Sequence, residues 1–516
     1  MKINNNIDNY LIFLLNTGGG GLDLNLINKK LENLNFPIIA VILAALIGIN
    51  TLFIKPIVGM ANNGDYFRIM VSNNLYYLRE EPNHEPEYFK YFQPYYGVNN
   101  FYNEQKKLLV STQSLLIKPA MLLDRLITGN DKVFDLRFLG GLLLVFQLIA
   151  TYLIIKVFCS YLRTGIGKAV ITFMYLFVFM DTGYIAYLNS LFGEGVNIPF
   201  FLLSIGILLY MIRFKKFNWY MILLFSFTTF IFFGAKQQLA PVGILVAILL
   251  FRFMYYKRNL EVKVVSISLI VLLAASSVYL YSAIKGDFQY INKYHALNRG
   301  ILLENNNPDN ALKSIGINEQ YSLLENTIYF NSVTQVNLKN KDLIKNYYDK
   351  LGVGAIIKYY IFHPKDMIKM LKLGFNNAYQ IRPHELGNYT KDSGKPPVSR
   401  SYFWSGWSYF KYKFLPNNLV ASLAYIGIFF YFSIKRYYRA YKDGDDDTRF
   451  TEEVYYYIFL IGISQIAASL IGAGDADLAK HEFMYNMTFD FLFLVCIKNL
   501  ILKIERRWLK DGEIGH

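Results

Sequence analysis

Four short polar clusters interrupt an apolar chain, and each holds side chains able to move a proton or grip an anion. The first is Asn62-Asn63-Gly64-Asp65-Tyr66-Phe67-Arg68, directly after the first apolar run. Gly64 permits a tight turn. It leaves Asp65 at the edge of a low-dielectric region, where a carboxylate can be tuned toward general-base work. A loop-starting Asp paired with Arg68 is the plainer account, and spacing alone favours it. The second cluster is Asn189-Ser190-Leu191-Phe192-Gly193-Glu194. Glu194 falls in a tight turn at membrane depth, where ionisable groups are costly and mark function. A solvated loop carboxylate is an equal alternative.

The third cluster, Gly234-Ala235-Lys236-Gln237-Gln238, offers Lys236 to an anion such as a lipid phosphate. A lysine whose stem snorkels to water explains it slightly better. In the fourth, Gly474-Asp475-Ala476-Asp477-Leu478-Ala479-Lys480-His481, the carboxylates of Asp475 and Asp477 stand near Lys480 and His481. That set could hold a divalent ion or a phosphate, although Asp-Ala-Asp alone is weak evidence for metal. Asp490 follows on the next helix and faces the bundle if it is buried. Further cations stand at Arg382-Pro383-His384-Glu385, Arg400, Lys293, His295 and Arg299, each more often a satisfied surface group than a ligand. The run Asp443 to Asp447 reads as a solvated turn. Cys159 and Cys496 read as small hydrophobes, since both lie in or beside apolar runs.

The elements that position these clusters must cross a membrane. Hydrophobic residues make up 54% of the 516-residue chain and mean hydropathy is +0.24, above the range of soluble domains. Runs of about twenty apolar residues recur, the length that matches a bilayer's hydrocarbon thickness. They predict an all-α polytopic membrane helix bundle of about ten spans. The first covers Phe36 to Ile57, and the others lie near 136–158, 168–188, 195–213, 217–234, 239–256, 264–284, 418–434, 453–473 and 482–502. The first run is too long and too deep in the chain for a cleaved signal peptide.

Lysine and arginine then orient the chain. Each short loop that alternation places on the N-terminal side carries several of them, from Lys29 and Lys30 to Lys503, Arg506 and Arg507. The short loops on the other side hold only Lys236 and Lys480. Both termini are therefore expected in the cytoplasm, as segments 1–35 and 503–516. The net charge of +15 becomes topological, and nucleic acid loses its support as a partner.

Two long segments, 58–135 and 285–417, fall on the far side, the first inside a bundle of 36–284 and the second before closing helices of 418–502. Leu115 to Ile127 reads as a helix lying in the interface. Val353 to Leu373 reads as an interfacial hairpin turned at His363-Pro364. The stretch Tyr402 to Trp407 suits an aromatic interface belt, with Trp404 and Trp407 near the headgroups. The Gly18 to Gly21 run reads as a flexible segment.

The chain lacks a Walker loop, the alternating strands and helices of a nucleotide-binding domain, and both His-Glu zinc signatures. Taken in order, Asn62 to Arg68, Tyr187 to Glu194, Gly300 to Tyr321 and Gly474 to Phe483 resemble the GT-C class of membrane glycosyltransferases. The likeness is to bacterial glycan-biosynthesis hexose transferases and spans about 36 to 502. The resemblance implies transfer of a sugar from a polyprenyl-phosphate-sugar to a glycan or glycolipid acceptor at the outer face. Asp65 matches the first-loop catalytic acidic residue of the class and would deprotonate the acceptor hydroxyl, with Glu194 as a second catalytic carboxylate. Lys236, Arg382 and Lys480 would stabilise the leaving phosphate, while Asp475, Asp477 and His481 would serve a metal or the acceptor. One Asp stands in the first-loop motif where other members have an acidic pair, so a divalent metal cofactor stays an open expectation. A lipid-linked glycan transporter, or a polymerase joining two lipid-linked chains, would use the same groups. A flippase, however, normally presents moving halves to both sides.

Overall fold

Asn35 starts the first long apolar helix: its side chain accepts the Ile38 N–H at 3.4 Å, and Pro37 sits in the first turn, where it costs no hydrogen bond. In this computed structural model, which describes residues 24–78, 88–100, 109–283, 287–331 and 337–514, that helix is α2 (Phe36–Leu52). It follows the short α1 (Leu24–Glu32) at an 82° bend. The Gly18 to Gly21 run lies outside the described residues.

Beyond α2 come α3 (Tyr66–Ser72), β1 (Leu75–Tyr77), β2 (Tyr95–Val98), α4 (Ser114–Thr128) and β3 (Val133–Asp135). The strands form an antiparallel sheet with β2 in the middle, pairing Tyr76 with Gly97 and Tyr96 with Phe134. Sequence reading misses this sheet, because strands this short give no legible alternation. Helix α4 is the amphipathic helix expected there. It buries Leu116, Ile117 and Ala120 and leaves Leu122, Leu126 and Ile127 exposed.

The bundle continues with α5 (Arg137–Tyr161), α6 (Gly165–Phe179), the short α7 (Thr182–Ile185), α8 (Gly193–Arg213), α9 (Trp219–Gly234), α10 (Val242–Tyr256) and α11 (Leu260–Ser282). Central α8 is buried almost throughout and packs against α5 and α9. By contrast α11 exposes Ile267, Val271, Leu272 and Val278, the face a lipid-bathed helix presents.

Segment 285–417 is helical, as expected. It contains α12 (Asp287–Ala296) running into a π turn at Leu297–Ile301, then α13 (Pro308–Ser314), α14 (Lys341–Asn346), α15 (Val353–Phe362), α16 (Pro364–Asn377) and α17 (Gly406–Phe414). The break between α15 and α16 falls at His363, where Pro364 begins a new helix. Tyr294, Tyr347, Tyr348, Tyr359, Tyr360 and Tyr379 build a separate core there, which reaches Ile466, Leu470, Tyr485 and Phe489 of the closing helices. Those are α18 (Leu419–Lys442), α19 (Asp446–Ala473), the one-turn α20 (Leu478–His481) and α21 (Phe483–Ile514).

Every expected span is a helix, yet not every one has the length and apolarity to cross alone. Among the described residues six helices do, or eight when each of two bent pairs counts as one span. The bent pairs are α1 with α2, and α6 with Thr182–Leu188. Helix α9 has 16 residues, about 24 Å, short of a ~30 Å hydrocarbon layer. Helix α21 carries Asp490 and Lys498 in its interior.

Two further expectations change. Trp407 is buried, and its indole N–H donates to Asp490 at 2.7 Å, while the Trp404 indole donates to Leu176 O at 3.0 Å. Only Tyr402 and Phe403 of that stretch keep exposed rings. The Asp443 to Asp447 run is solvated at Asp443 and Asp445 and bound at Asp446 and Asp447. Asp446 and Glu453 grip Arg252 at 2.5 and 2.6 Å, and Asp447 accepts the Tyr256 hydroxyl at 2.5 Å.

Candidate active site

Because successive long helices alternate in direction, all four polar clusters emerge at one end of the bundle. Backbone pairing then fixes the first cluster. Gly59 N donates to Asn388 O at 3.0 Å, Met60 N to Asn189 O at 3.2 Å and Ala61 N to Gly387 O at 2.9 Å. Asn189 is fully buried and donates to Leu52 O and Val58 O at 3.0 and 2.9 Å. Next, Asn62 Oδ1 accepts Gly64 N at 2.8 Å, and Gly64 takes the positive φ of 103° that a side chain would resist. Residues 111–113 tie down the neighbouring turns. Ser111 Oγ donates to Ala235 O at 2.8 Å, Thr112 Oγ1 to Ile231 O at 2.7 Å and Gln113 Nε2 to Leu191 O at 2.8 Å. The first two bonds satisfy carbonyls that the end of α9 would otherwise leave open.

Four clusters thereby converge. Asp65 pairs with Arg68 at 2.6 Å and also with Lys480, whose ammonium lies 4.2 Å over the Phe192 ring centroid. Lys236 pairs with Glu194 at 2.7 Å and donates to Lys480 O at 3.2 Å. His481 Nδ1 donates to Gln238 Oε1 at 2.9 Å, since that oxygen can only accept, and Gln238 Nε2 returns a bond to His481 O at 2.9 Å. Asp477 is exposed at the rim, where Asn63 Nδ2 approaches its Oδ2 at 3.5 Å. Glu194 stands in the first turn of α8, where the helix dipole favours a carboxylate.

Electrostatics follow from burial and neighbours. Burial by itself would raise the Asp65 carboxyl, but the Lys480 ammonium and the Arg68 guanidinium outweigh it and hold it well below the usual carboxylate range. Burial opposes the charge on Lys480, and Asp65, Asp477 and Glu194 more than compensate, raising it above an ordinary lysine. For His481, burial followed by repulsion from Lys236 and Lys480 lowers the ring to about 3, so it is neutral at working pH. The cluster therefore holds an ionised carboxylate and a desolvated ammonium in direct contact, next to a second such pair.

Arg382 and Asp475 make their bonds elsewhere. Arg382 is buried and donates to Asn388 Oδ1 and Ser401 O, both at 2.8 Å. Burial lowers its pKa from the ordinary value. It braces the loop that grips residues 59–61. Asp475 is held in a two-pronged pair by Arg299 from the π turn, at 2.7 and 2.5 Å. Gly474 makes this seat possible, because a Cβ there would clash with the Arg299 carbonyl. His295 accepts the Tyr329 N–H at 3.0 Å, and Lys293 donates to Tyr348 O at 2.8 Å. Among the described residues, no three His, Cys, Asp or Glu side chains gather as a metal site would need.

A second buried charge network joins Asp490, which the sequence already turns toward the bundle, to Lys411, which sequence reading passed over. Lys411 of α17 and Asp490 of α21 form a fully buried pair at 2.7 Å; Asp490 also accepts Tyr184 at 2.6 Å, and Lys411 donates to Asn486 at 2.6 Å. The spacing of Trp407 and Lys411, four apart on one helix face, was its available signal.

Known proteins place this architecture. Among curated proteins none matches the chain. The family described as the YfdI N-terminal transmembrane domain matches residues 25–514, which takes in the bundle, both long segments and all four converging clusters. A polytopic membrane protein that matches along nearly its whole length has one assignment: this chain belongs to the YfdI N-terminal transmembrane domain family.

Proposed function

We propose that this protein is a GT-C-like membrane glycosyltransferase that moves a sugar from a polyprenyl-phosphate-linked donor to a glycan or glycolipid acceptor. The observation that carries this reading is the contact between Asp65 and Lys480, a base beside a cation at the membrane end of the bundle. The acceptor oxygen attacks the anomeric carbon, the bond from that carbon to the phosphate oxygen breaks, and Asp65 takes the acceptor's proton. Lys480, with Lys236 behind it, meets the charge gathering on the departing lipid phosphate. Donor binding also frees the base: as the phosphate draws the Lys480 ammonium to itself, Asp65 loses its strongest partner and becomes more basic. Glu194 keeps Lys236 in place, and Asp477 and His481 flank the mouth where an acceptor enters.

Segment 285–417 reaches the site through Gly387 and Asn388, whose carbonyls accept from Ala61 and Gly59, and through Arg299, which holds Asp475. The loop charge pattern supports a site outside the cell membrane, with both termini in the cytoplasm.

The test uses the full chain in lipid nanodiscs with labelled polyprenyl-phosphate-sugars, reading release of polyprenyl phosphate. Asp65→Asn should lower release by ~10²–10⁴-fold, the usual worth of a general base, with donor binding preserved. Full activity in Asp65→Asn removes the base assignment, and no consumption of any donor by the unaltered protein removes the enzyme reading in favour of a transporter.

A further inference from the structure

We propose that the gap between α18 and α21, at the end of the bundle opposite Asp65, is a binding site for an anionic glycerophospholipid. Both helices pack on α19. They touch each other near Asp65's end, where the Tyr425 and Phe489 rings lie 4.3 Å apart. Further along they part, and a cavity of about 940 Å³ opens between them. That volume is in the range of built ligand sites.

The lining has two chemistries in two zones. Ile428, Phe432 and Leu500 are apolar and exposed, as walls for acyl chains would be. At the helix ends stand Arg163, Arg436, Arg439, Lys503, Arg506 and Arg507, and no lining residue is acidic. Arg436 is committed to Glu452 at 2.6 Å and anchors the wall. Arg439 and Arg506 are exposed on it. Asn499 adds a buried Nδ2 without an acceptor in the protein, a donor suited to a phosphate or ester oxygen.

Charge alone would describe any basic membrane surface. A cation cluster that closes an apolar slot between two spans instead matches one molecule: a negative headgroup whose tails enter from the leaflet. A free phosphate leaves the apolar walls unused, and a zwitterionic lipid brings no net negative charge to the cations.

The full chain, stripped of lipid in mild detergent, would be titrated with phosphatidylglycerol and phosphatidylcholine and followed by native mass spectrometry. Phosphatidylglycerol should bind roughly tenfold more tightly, and the margin should vanish in R439Q/R506Q but survive in R439K/R506K. Neither arginine belongs to the candidate active site, so sugar transfer in phosphatidylcholine should be unchanged. A photoactivatable phosphatidylglycerol on the unaltered protein should label peptides of α18 or α21, a readout independent of how the variants fold. Equal binding of the two lipids, unchanged preference in R439Q/R506Q, labelling elsewhere, displacement by millimolar inorganic phosphate, or tighter binding of polyprenyl phosphate would each overturn the assignment.

Discussion

Asp65 stands at the N-cap of α3, but its side chain accepts no backbone N–H from that helix. An aspartate in this position ordinarily accepts a backbone N–H from the first turn. Here its oxygens go to Arg68 and Lys480 instead, so the residue serves the cluster at the helix's expense. A pH test follows. With Lys480 and Arg68 present, Asp65 ionises well below the ordinary range, and the acid limb of kcat/KM should lie there too. In Lys480→Met the largest opposing charge is gone while burial remains, so the limb should move to higher pH. An acid limb that stays in place, whatever the loss in rate, would show that Asp65 is not the titrating base. Sequence exposed Asp65, Glu194, Lys236, Lys480 and His481 as candidates because each interrupts an apolar run. It left open which would meet, since residues 65 and 480 share no local pattern. Asp475 shows the other side of this. Its neighbours in sequence suggested a ligand group, and only the three-dimensional path of the π turn reveals Arg299 as its partner.

At the scale of elements, the junction of α17 with α21 concentrates the cost of burying charge. Removing one partner of a buried ion pair strands the other, typically at 3–5 kcal/mol, whereas replacing both with apolar groups is often neutral. Lys411→Met should therefore destabilise the protein by roughly that amount, and Lys411→Met/Asp490→Leu by clearly less. Thermal unfolding in detergent measures both, and equal losses would mean that the pair does not act as a unit. Helices were the legible elements because apolar runs of span length admit few other structures in lipid. The sheet of β1, β2 and β3 was not legible. Its strands, of three or four residues, are shorter than any periodicity test. Trp407 was misplaced for a related reason: an aromatic cluster looks the same whether it lines a headgroup belt or, as Trp407 does here, covers a buried aspartate.

For the whole molecule, the alternation of long helices gathers the candidate chemistry at one end and the basic loops at the other. Cysteines placed at Lys395 and Lys215, both exposed, sit at opposite ends and should report on orientation. In whole cells a membrane-impermeant thiol reagent should modify the first and spare the second. The reverse pattern would invert the proposed topology. Asn189, which loop reading would also choose, is a poor probe because it is fully buried. The Lys411–Asp490 pair has a further consequence, for the order in which the protein can be made. Its two halves are 79 residues apart in the chain. Ribosomes therefore deliver Lys411 well before the helix that neutralises it exists. That last helix carries Asp490 about two turns from its start, so the carboxylate that neutralises Lys411 arrives only with the final span. Each charge is thus the other's condition for burial, and the docking of α17 against the final helix becomes a single late event. A chain stalled between the two residues would expose an unpaired ammonium to the cell's quality-control proteases.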